Sequence, residues 1–378
     1  GYATGTADTL FTVGLWMSSG TTLNSGGGAI TLRGRSSNAN AATANYGIYI
    51  HNSTLNAGAG KIAIEGVGLG AGSANVQGLS IESTTTMTSS NTASDAIRLV
   101  GNVSSANAAT ALAVNVGGTT MAATGAGGGI VIEGTGGIGT SYDHGIDLGG
   151  VSLLSSSGSV LVVSNNTTYS GSNNANFNFW GDNVFGSKAG SSVTSSSANI
   201  TLRTDALTVN GNNYFNSSGT VTFESVASSF ASTQTLSSGL VFANSLTGLT
   251  VGKTSNTANI TLPVSVSISG GVALYGGQVD VQQALSAAGA ITIKANSTDV
   301  LLSGAVTNSA GAATTMTVEA GRHIRLGANA SITASNAAVS TQLWADTDAS
   351  GDGIVYMESS GISTAGGALT FGKAGQVA

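Results

Sequence analysis

The sequence predicts an all-β protein: a parallel β-helix, or β-solenoid, of short strands with about three strands to each rung and irregular loops. Three observations predict this fold class. An apolar triad returns at nearly constant spacing, glycine and small polar residues dominate the composition, and proline is almost absent. The 378 residues include 56 glycines and 1 proline. Proline is excluded from central strands because the ladder needs every backbone N–H.

The recurring triad is an apolar residue, any residue and a second apolar residue, as in GGGAITLRG at residues 26–34. Such alternation predicts a strand with one buried face. Subtracting neighbouring positions gives steps of 32, 35, 33 and 31 residues in the first half, and irregular steps after that. We expect the triads to form one wall of the solenoid. They begin at Ile30, Ile62, Ile97, Ile130, Leu161, Ile200, Val221, Ile260, Ile291, Met316, Val355 and Leu369.

Two further apolar clusters precede each triad in the first half. A first strand reads GLWM, GIYI, GLSI, ALAV and GIDL in successive repeats. A single apolar residue follows it in each repeat, at Leu23, Leu55, Met87, Met121 and Leu153. Three such short strands cannot form a core alone, but stacked repeats can bury their apolar side chains against one another.

The spacing divides the chain into three parts. Residues 1–170 are regular solenoid repeats of about 31–35 residues, and residues 191–378 are a less regular solenoid. Residues 171–190 form an aromatic-containing insertion or loop between them. Two interpretations of this loop remain: a hydrophobic plug packed on the solenoid, or a protruding loop that contacts a ligand or a neighbouring subunit. Its aromatic residues are Phe177, Phe179, Trp180 and Phe185.

Composition excludes several classes of function. Hydrophobic residues make up 41% of the chain, which is too many for a disordered low-complexity protein. The net charge is −6 and lysine and arginine are never clustered, so we expect no nucleic-acid partner. No apolar run approaches the roughly 18 residues of a membrane helix, so we expect no membrane insertion of this segment. Without cysteine there are no disulfides, thiolate metal sites or thiol nucleophiles.

The triads GAITL, GKIAIEG, GGIVIEG and AGAITIKA, in a Gly/Ser/Asn/Ala background, resemble the repeat region of filamentous haemagglutinin-like exoproteins. These are large secreted β-helical adhesins of Gram-negative bacteria. The stretch LWADTDASGDGIVYMESSGISTAGGALTFG is similar to units of very long β-strand-repeat surface proteins. The resemblance implies a secreted adhesin repeat region. The Asn-Pro motifs of that family's secretion domain do not occur in this sequence.

Parallel β-helices also include glycan-cleaving enzymes, which need several acidic and basic residues on adjacent rungs. The best local cluster is YDHGIDL at residues 142–148. Asp147 should point outward there, and its expected equivalents in neighbouring strands are Tyr49, Ser80 and Ala113. None of these completes a catalytic group, so the pattern favours a solvated strand edge.

The strongest candidate metal site is DTDASGDG, with oxygen ligands at alternate positions and Gly351 in sixth place. This spacing is typical of a calcium loop. The twelfth position is Met357, where a bidentate glutamate belongs, and Glu358 comes one residue late. Calcium binding and a simple polar turn therefore both remain open, and no other cofactor is expected. The candidate ligands are Asp346, Asp348, Ser350 and Asp352.

These observations predict a non-enzymatic structural and adhesive protein, a segment of an extracellular fibre or large adhesin at the bacterial cell surface. Neither GYATGTADTLFTV nor GGALTFGKAGQVA resembles a polar cap, so we expect each end to abut a further rung or subunit. The expected partners are copies of the chain, stacked end to end, and cell-surface or matrix glycans. The alternative is a glycan-binding or glycan-cleaving β-helix.

Overall fold

In the computed structural model the chain forms two compact units, Gly1–Ser217 and Ser218–Ala378. Seven stretches of the chain are described. The stretches described are residues 11–37, 43–70, 74–103, 108–136, 142–165, 176–349 and 351–372.

The predicted fold class is confirmed. Many short strands stack in register, the sheets are parallel, and the described residues contain no helix. Within each unit most strands pair with the strand three places further along the chain, so one passage of the chain through the walls makes one rung. This is the architecture of a parallel β-helix.

Unit 1 has three walls. The first wall consists of β1 (Phe11–Met17), β4 (Ala44–His51), β7 (Asn75–Glu82), β10 (Thr110–Gly117), β13 (Tyr142–Gly149), β16 (Phe177–Phe179) and β19 (Leu207–Val209). The second consists of β2 (Thr22–Asn24), β5 (Thr54–Gly58), β8 (Thr86–Ser89), β11 (Thr120–Ala123), β14 (Ser152–Ser155), β17 (Asn183–Gly186) and β20 (Asn213–Asn216). The third consists of β3 (Ile30–Arg35), β6 (Ile62–Val67), β9 (Ile97–Asn102), β12 (Ile130–Thr135), β15 (Val160–Ser164) and β18 (Ile200–Arg203).

Within unit 2 the strands form three walls, and β23 (Leu240–Phe242) is one further strand. The fourth wall consists of β21 (Thr220–Glu224), β24 (Gly248–Val251), β27 (Gly271–Gly276), β30 (Ile291–Ala295), β33 (Thr314–Ala320), β36 (Val339–Trp344) and β39 (Leu369–Phe371). The fifth consists of β22 (Gln234–Thr235), β25 (Ile260–Leu262), β28 (Val279–Val281), β31 (Val300–Leu302), β34 (Ile324–Leu326) and β37 (Val355–Met357). The sixth consists of β26 (Val266–Ile268), β29 (Leu285–Ala287), β32 (Ala305–Asn308), β35 (Ser331–Ala334) and β38 (Gly361–Ser363).

The core consists of columns of inward side chains, one from each rung. In the third wall Ile62, Ile97 and Ile130 are register partners and are fully buried. The residues between inward positions are half-buried, as the alternation in the triads predicts. Burial of a branched aliphatic side chain stabilises by about 1.5–3 kcal/mol, so each rung gains stability from the rung beside it.

Glycine is required where the third wall turns toward the first. A Cβ at Gly101 would lie 1.9 Å from the carbonyl oxygen of Ala113, and one at Gly66 would lie 2.1 Å from that of Gly78. Real side chains never approach backbone so closely, so only glycine fits. The glycines that end GKIAIEG and GGIVIEG are therefore part of how each rung closes.

The register differs from the sequence prediction at one triad of unit 1. Ile130 pairs with Val160, and Val131 pairs with Leu161. The inward triad is therefore Val160–Val162, one residue earlier than predicted from Leu161. In VLVVS several branched residues follow one another, so the apolar pattern alone does not define which of them point inward.

Two of the second-half triads belong to another wall. Ile260 and Val355 lie in the fifth wall, whereas the triads at Ile291 and Met316 lie in the fourth. The fourth-wall strands that the triads missed contain Leu249, Val272 and Thr341 at the equivalent inward position. Register partners along this wall are 28, 23, 19, 25, 25 and 28 residues apart from Val221 to Leu369, so the irregular steps after Val221 arose from mixing two walls.

Candidate functional site: an aromatic and polar face on unit 1

The aromatic segment is part of the core. Phe177 and Phe179 lie in β16 and Phe185 lies in β17, and all three side chains are 0% exposed. Their rings are 4.6 Å apart between Phe177 and Phe179 and 5.7 Å apart between Phe179 and Phe185, and Phe185 stacks on Phe215 of the next rung at 5.0 Å.

The prediction that these aromatic residues form an interaction loop is therefore wrong for the three phenylalanines. Buried rings in register with neighbouring strands make residues 176–190 part of a rung of the solenoid, in which phenylalanine takes the place of aliphatic residues. Residues 171–175 lie outside the described residues. Trp180 alone of the four is exposed, to 44%.

The candidate calcium loop is a turn closed by its own first carboxylate. Both oxygens of Asp346 accept a hydrogen bond from the backbone N–H of Gly351, at 3.1 Å each. The φ angle of Asp346 is 61°, a left-handed conformation that aspartate tolerates in turns. Within the described residues no three His, Cys, Asp or Glu side chains come together as a metal site. Asp348 and Asp352 are thus not joined with Asp346 into such a site, and Ser350 lies outside the described part of the chain.

In the YDHGIDL cluster Asp143 and His144 are buried, so they do not form the solvated strand edge that the pattern favoured, and Asp147 lies on the outer side of the first wall. Asp147 is half-buried between the fully buried Ile146 and Leu148, as the alternation predicts. Its register partners are Asn115 and Asn178, so Ala113 is not its equivalent. Asn178 and Asp147 form a hydrogen bond from the amide Nδ2 to the carboxylate Oδ1 at 2.8 Å.

The outer side of the first wall gathers aromatic rings and polar groups from six successive rungs, of which the two tryptophans are exposed, Ser80 is buried and the others are half-buried. We call it the aromatic–polar face. It contains Trp16, Tyr46, Tyr49, His51, Ser80, Glu82, Asn115, Asp147, Asn178 and Trp180.

One end of this face is a cluster of rings. Trp16 is 54% exposed and its ring centroid lies 4.8 Å from that of Tyr49, its register partner. Tyr46 and Tyr49 lie 5.3 Å apart, and His51 stacks on Tyr49 at 6.2 Å with 9° between the planes. Aromatic pairs at these separations hold one another in place, so the cluster is a preorganised platform.

Glu82 connects this platform to the polar part of the face. Its Oε1 accepts hydrogen bonds from the hydroxyl of Ser80 at 2.7 Å and from the amide of Asn115 at 3.4 Å. Burial, then the charge of Glu82 and then Tyr49 raise the pKa of Tyr46 to about 12. Burial, the charge of Glu82 and a hydrogen bond to its carboxylate likewise raise the pKa of Tyr49. Both phenols therefore keep their protons at neutral pH and act as donors.

Trp180 forms the other end of the face. A Cβ built on Gly149 would lie 2.2 Å from atoms of the Trp180 ring, and one on Gly117 would lie 3.2 Å from them. The indole thus lies against the backbone of Gly149 and Gly117 in the two preceding rungs. Its backbone N–H donates to the carbonyl of Leu148 at 2.9 Å, which fixes its position on the first wall.

The last described rung of unit 2 carries a second exposed apolar feature. Leu369 and Phe371 of β39 are register partners of Thr341 and Leu343, which are inward and buried. Leu369 is 44% exposed and Phe371 is 53% exposed. Side chains at these inward positions are therefore buried in β36 of the preceding rung and exposed in β39.

The chain matches no family model, no curated protein and no solved structure. Within the described part of the chain, no helix is long and apolar enough to cross a membrane.

Sequence reasoning missed most of the aromatic–polar face. The strands GLWM and GIYI were recognised, and their outward residues Trp16 and Tyr49 stand at the same position of adjacent repeats. That coincidence was the available signal. Glu82 and Trp180 gave none, because Glu82 comes directly after the predicted strand GLSI, Trp180 follows β16, and both reach the face only through the three-dimensional register.

Proposed function

We propose that this chain is a non-enzymatic structural and adhesive protein: a β-solenoid segment of an extracellular fibre or large adhesin that stacks end to end with copies of itself. The open inward side of β39 is the observation that carries the proposal. The resemblance of its repeats to filamentous haemagglutinin-like proteins supports a place outside the bacterial cell.

The argument for stacking starts from the free edge of a parallel ladder. A strand edge presents unpaired N–H and C=O groups that pair readily with another strand. At β39 this edge coincides with two exposed apolar side chains, Leu369 and Phe371. A further rung that paired with β39 would cover both, as β39 covers the rung before it.

A copy of this chain provides a suitable occupant. The triad of β3, Ile30–Leu32, has the same apolar, threonine, apolar pattern as Leu369–Phe371. Pairing of β39 in one copy with β3 in another would be a head-to-tail contact, and such contacts form open filaments when the rotation between subunits does not close a ring.

The adhesive part of the proposal rests on the outer surface. The sixth wall presents an unbroken column of hydroxyl side chains from five successive rungs. These residues are Ser267, Ser286, Thr307, Thr333 and Ser363. A neutral surface that offers both donors and acceptors suits contact with hydroxyl-rich cell-surface or matrix glycans.

The test is sedimentation velocity and negative-stain electron microscopy of the 378-residue chain over a range of concentrations. Wild-type protein should form filaments or show a mass that rises with concentration. Leu369→Asp/Phe371→Asp should remain a monomer, because a buried unpaired carboxylate is costly. Thr370→Asp is the matched control, since it places the same charge on the outward side of the same strand, and it should still assemble. A wild-type chain that stays monomeric at every concentration would overturn the stacking proposal.

A further inference from the structure

We infer that the aromatic–polar face of unit 1 binds a neutral oligosaccharide that lies along the stacking direction of the rungs. This inference deepens the adhesive part of the proposed function, because it names the ligand class and the surface. It does not depend on end-to-end stacking.

The first argument is the placement of the exposed rings. Trp16 lies in the first rung of unit 1 and Trp180 follows the first-wall strand of the sixth. Five rung steps separate them, which at the spacing of a parallel ladder is on the order of 24 Å. Exposed tryptophan faces are apolar surfaces on which the C–H faces of sugar rings can pack. Two such faces so far apart favour a chain of several sugar units over a single one.

The second argument is the chemistry between the rings. Glu82, Asn115, Asp147 and Asn178 lie there, on four consecutive strands. Their amides and carboxylates offer both donors and acceptors, which hydroxyl groups need. Asn178 and Asp147 hold each other at 2.8 Å, so these groups are positioned before a ligand arrives.

The third argument is charge. None of the seven strands of the first wall contains lysine or arginine. The formally charged side chains of the face, Glu82 and Asp147, are acidic, and an anionic glycan would meet these two carboxylates and no lysine or arginine of these strands. The face therefore favours a neutral sugar.

The fourth argument is that the structure fixes the exposed indole of Trp180. The nearest neighbours of a Cβ on Gly149 are all atoms of that indole, and the φ of Gly149 is not positive. Gly149→Ala should therefore displace the ring without straining the backbone. Gly149 is a positioning residue for the indole.

The experiment measures binding of neutral hexasaccharides, namely cellohexaose, maltohexaose and chitohexaose, by isothermal titration calorimetry. It uses the full chain as wild type and as the end-blocked Leu369→Asp/Phe371→Asp variant. At least one hexasaccharide should bind both forms alike. Sugar binding without filament formation would sustain this inference and overturn the stacking proposal. Failure of sugar binding and failure of stacking therefore give different results.

Four variants locate the site. Trp16→Ala and Trp180→Ala should each weaken binding about fivefold to tenfold. Gly149→Ala should reproduce the loss of Trp180→Ala although it removes no ligand contact. Trp344→Ala, which removes the third tryptophan of the chain from unit 2, should leave the affinity unchanged. Far-ultraviolet circular dichroism and thermal melting establish that each variant is folded.

Fluorescence supplies an independent readout. A sugar-induced change should persist in Trp344→Phe and vanish in Trp16→Phe/Trp180→Phe. The inference is overturned if no hexasaccharide binds at millimolar concentration, or if binding survives both Trp16→Ala and Trp180→Ala. Tighter binding of an acidic hexasaccharide such as hexagalacturonic acid would overturn it as well.

Discussion

Asn183 and Asn213 are fully buried and stack across two successive rungs, and the side-chain amide of Asn183 donates to the side-chain oxygen of Asn213 at 2.8 Å. The remaining hydrogen-bonding capacity of Asn183 is also used. Its oxygen accepts from the backbone N–H of Val151 at 3.0 Å, and its amide reaches the carbonyls of Leu148 and Gly181. One side chain thus ties three rungs of unit 1 together.

Replacing Asn183 should cost stability because its partners would remain buried without a hydrogen bond. We expect Asn183→Ala to lower the free energy of unfolding by about 2–4 kcal/mol, since each buried orphan group costs about 1–3 kcal/mol. Urea unfolding measures the change. A double-mutant cycle with Asn213→Ala should give a coupling of about 1 kcal/mol. Strictly additive losses would show that the two side chains do not interact.

Arg98 connects two glutamates of different rungs on the third wall. Its guanidinium lies 2.5 Å from Glu133 and 3.7 Å from Glu65, and Glu65 also pairs with Arg33 at 2.9 Å. The side chains are about one-third exposed or more, so water and salt screen them. Arg98→Gln should destabilise the protein by less than about 1 kcal/mol, and less still in 1 M sodium chloride. A loss unaffected by salt would contradict an electrostatic role.

The sequence was sufficient to predict the repeat, the parallel strands and most inward columns of unit 1. It failed where neighbouring apolar residues were interchangeable. At Leu161 the predicted register was one residue late, and Ile260 was assigned to the wrong wall of unit 2. Walls of a solenoid use the same short branched residues, so a triad identifies a strand but not the wall to which it belongs.

The aromatic–polar face was harder to predict for a different reason. Trp16, Tyr49 and Trp180 are far apart in sequence and become neighbours of one surface only through the register of the stacked rungs. The phenylalanines near Trp180 were also assigned to a loop or plug, because they lie where the regular spacing of the triads ends. Their burial follows from the period-2 pattern of FNF, in which both rings point the same way.

Asp299 should make unit 2 sensitive to acid. A bidentate pair with Arg322, at 2.9 Å for each bond, and the backbone N–H of His323 hold the pKa of Asp299 below its usual 3.8, against the opposing effect of burial. A carboxyl whose folded pKa is lowered contributes stability above the unfolded pKa, and this contribution is lost as pH falls through the folded pKa.

The measurement is the urea midpoint of wild type and Asp299→Asn between about pH 6 and pH 2. The variant should be less stable at pH 6, and the difference should shrink as pH falls below 3.8. Asp280→Asn is the matched control. Asp280 lies one rung earlier, and in the described part of the chain its carboxylate accepts a hydrogen bond from the side-chain amide of Gln282. A difference that stays constant with pH would show that the pair with Arg322 does not contribute.

Calcium should not stabilise the loop at Asp346. Its carboxylate already accepts from the N–H of Gly351 and supports a turn, so the loop needs no ion to hold its shape. We expect the melting temperature to be the same in millimolar calcium and in excess chelator. Asp346→Ala should lower it slightly in both solutions, whereas Asp352→Ala should not. A rise in melting temperature with calcium that Asp352→Ala abolished would restore the metal interpretation.

Gly101 should tolerate no side chain, because the corner between the third and first walls brings backbone against backbone. A Cβ there would lie 1.9 Å from the carbonyl oxygen of Ala113 and 2.6 Å from the side chain of Val114. Overpacking against mobile side chains costs about 1–3 kcal/mol, and here the nearest atom belongs to the backbone of a central strand, so Gly101→Ala should cost more than that range.

Gly28→Ala is the matched control for this corner. A Cβ at Gly28 would meet only Ser25, at 3.6 Å, which is an ordinary contact. Chemical unfolding of both variants, with circular dichroism to follow the strands, should show a change within about 1 kcal/mol for Gly28→Ala, as for other surface substitutions. Gly101→Ala should unfold at much lower denaturant or fail to fold. Equal stability of the two variants would mean that the rungs close without the contact between Gly101 and Ala113, and the glycine at the end of each third-wall triad would then need another explanation.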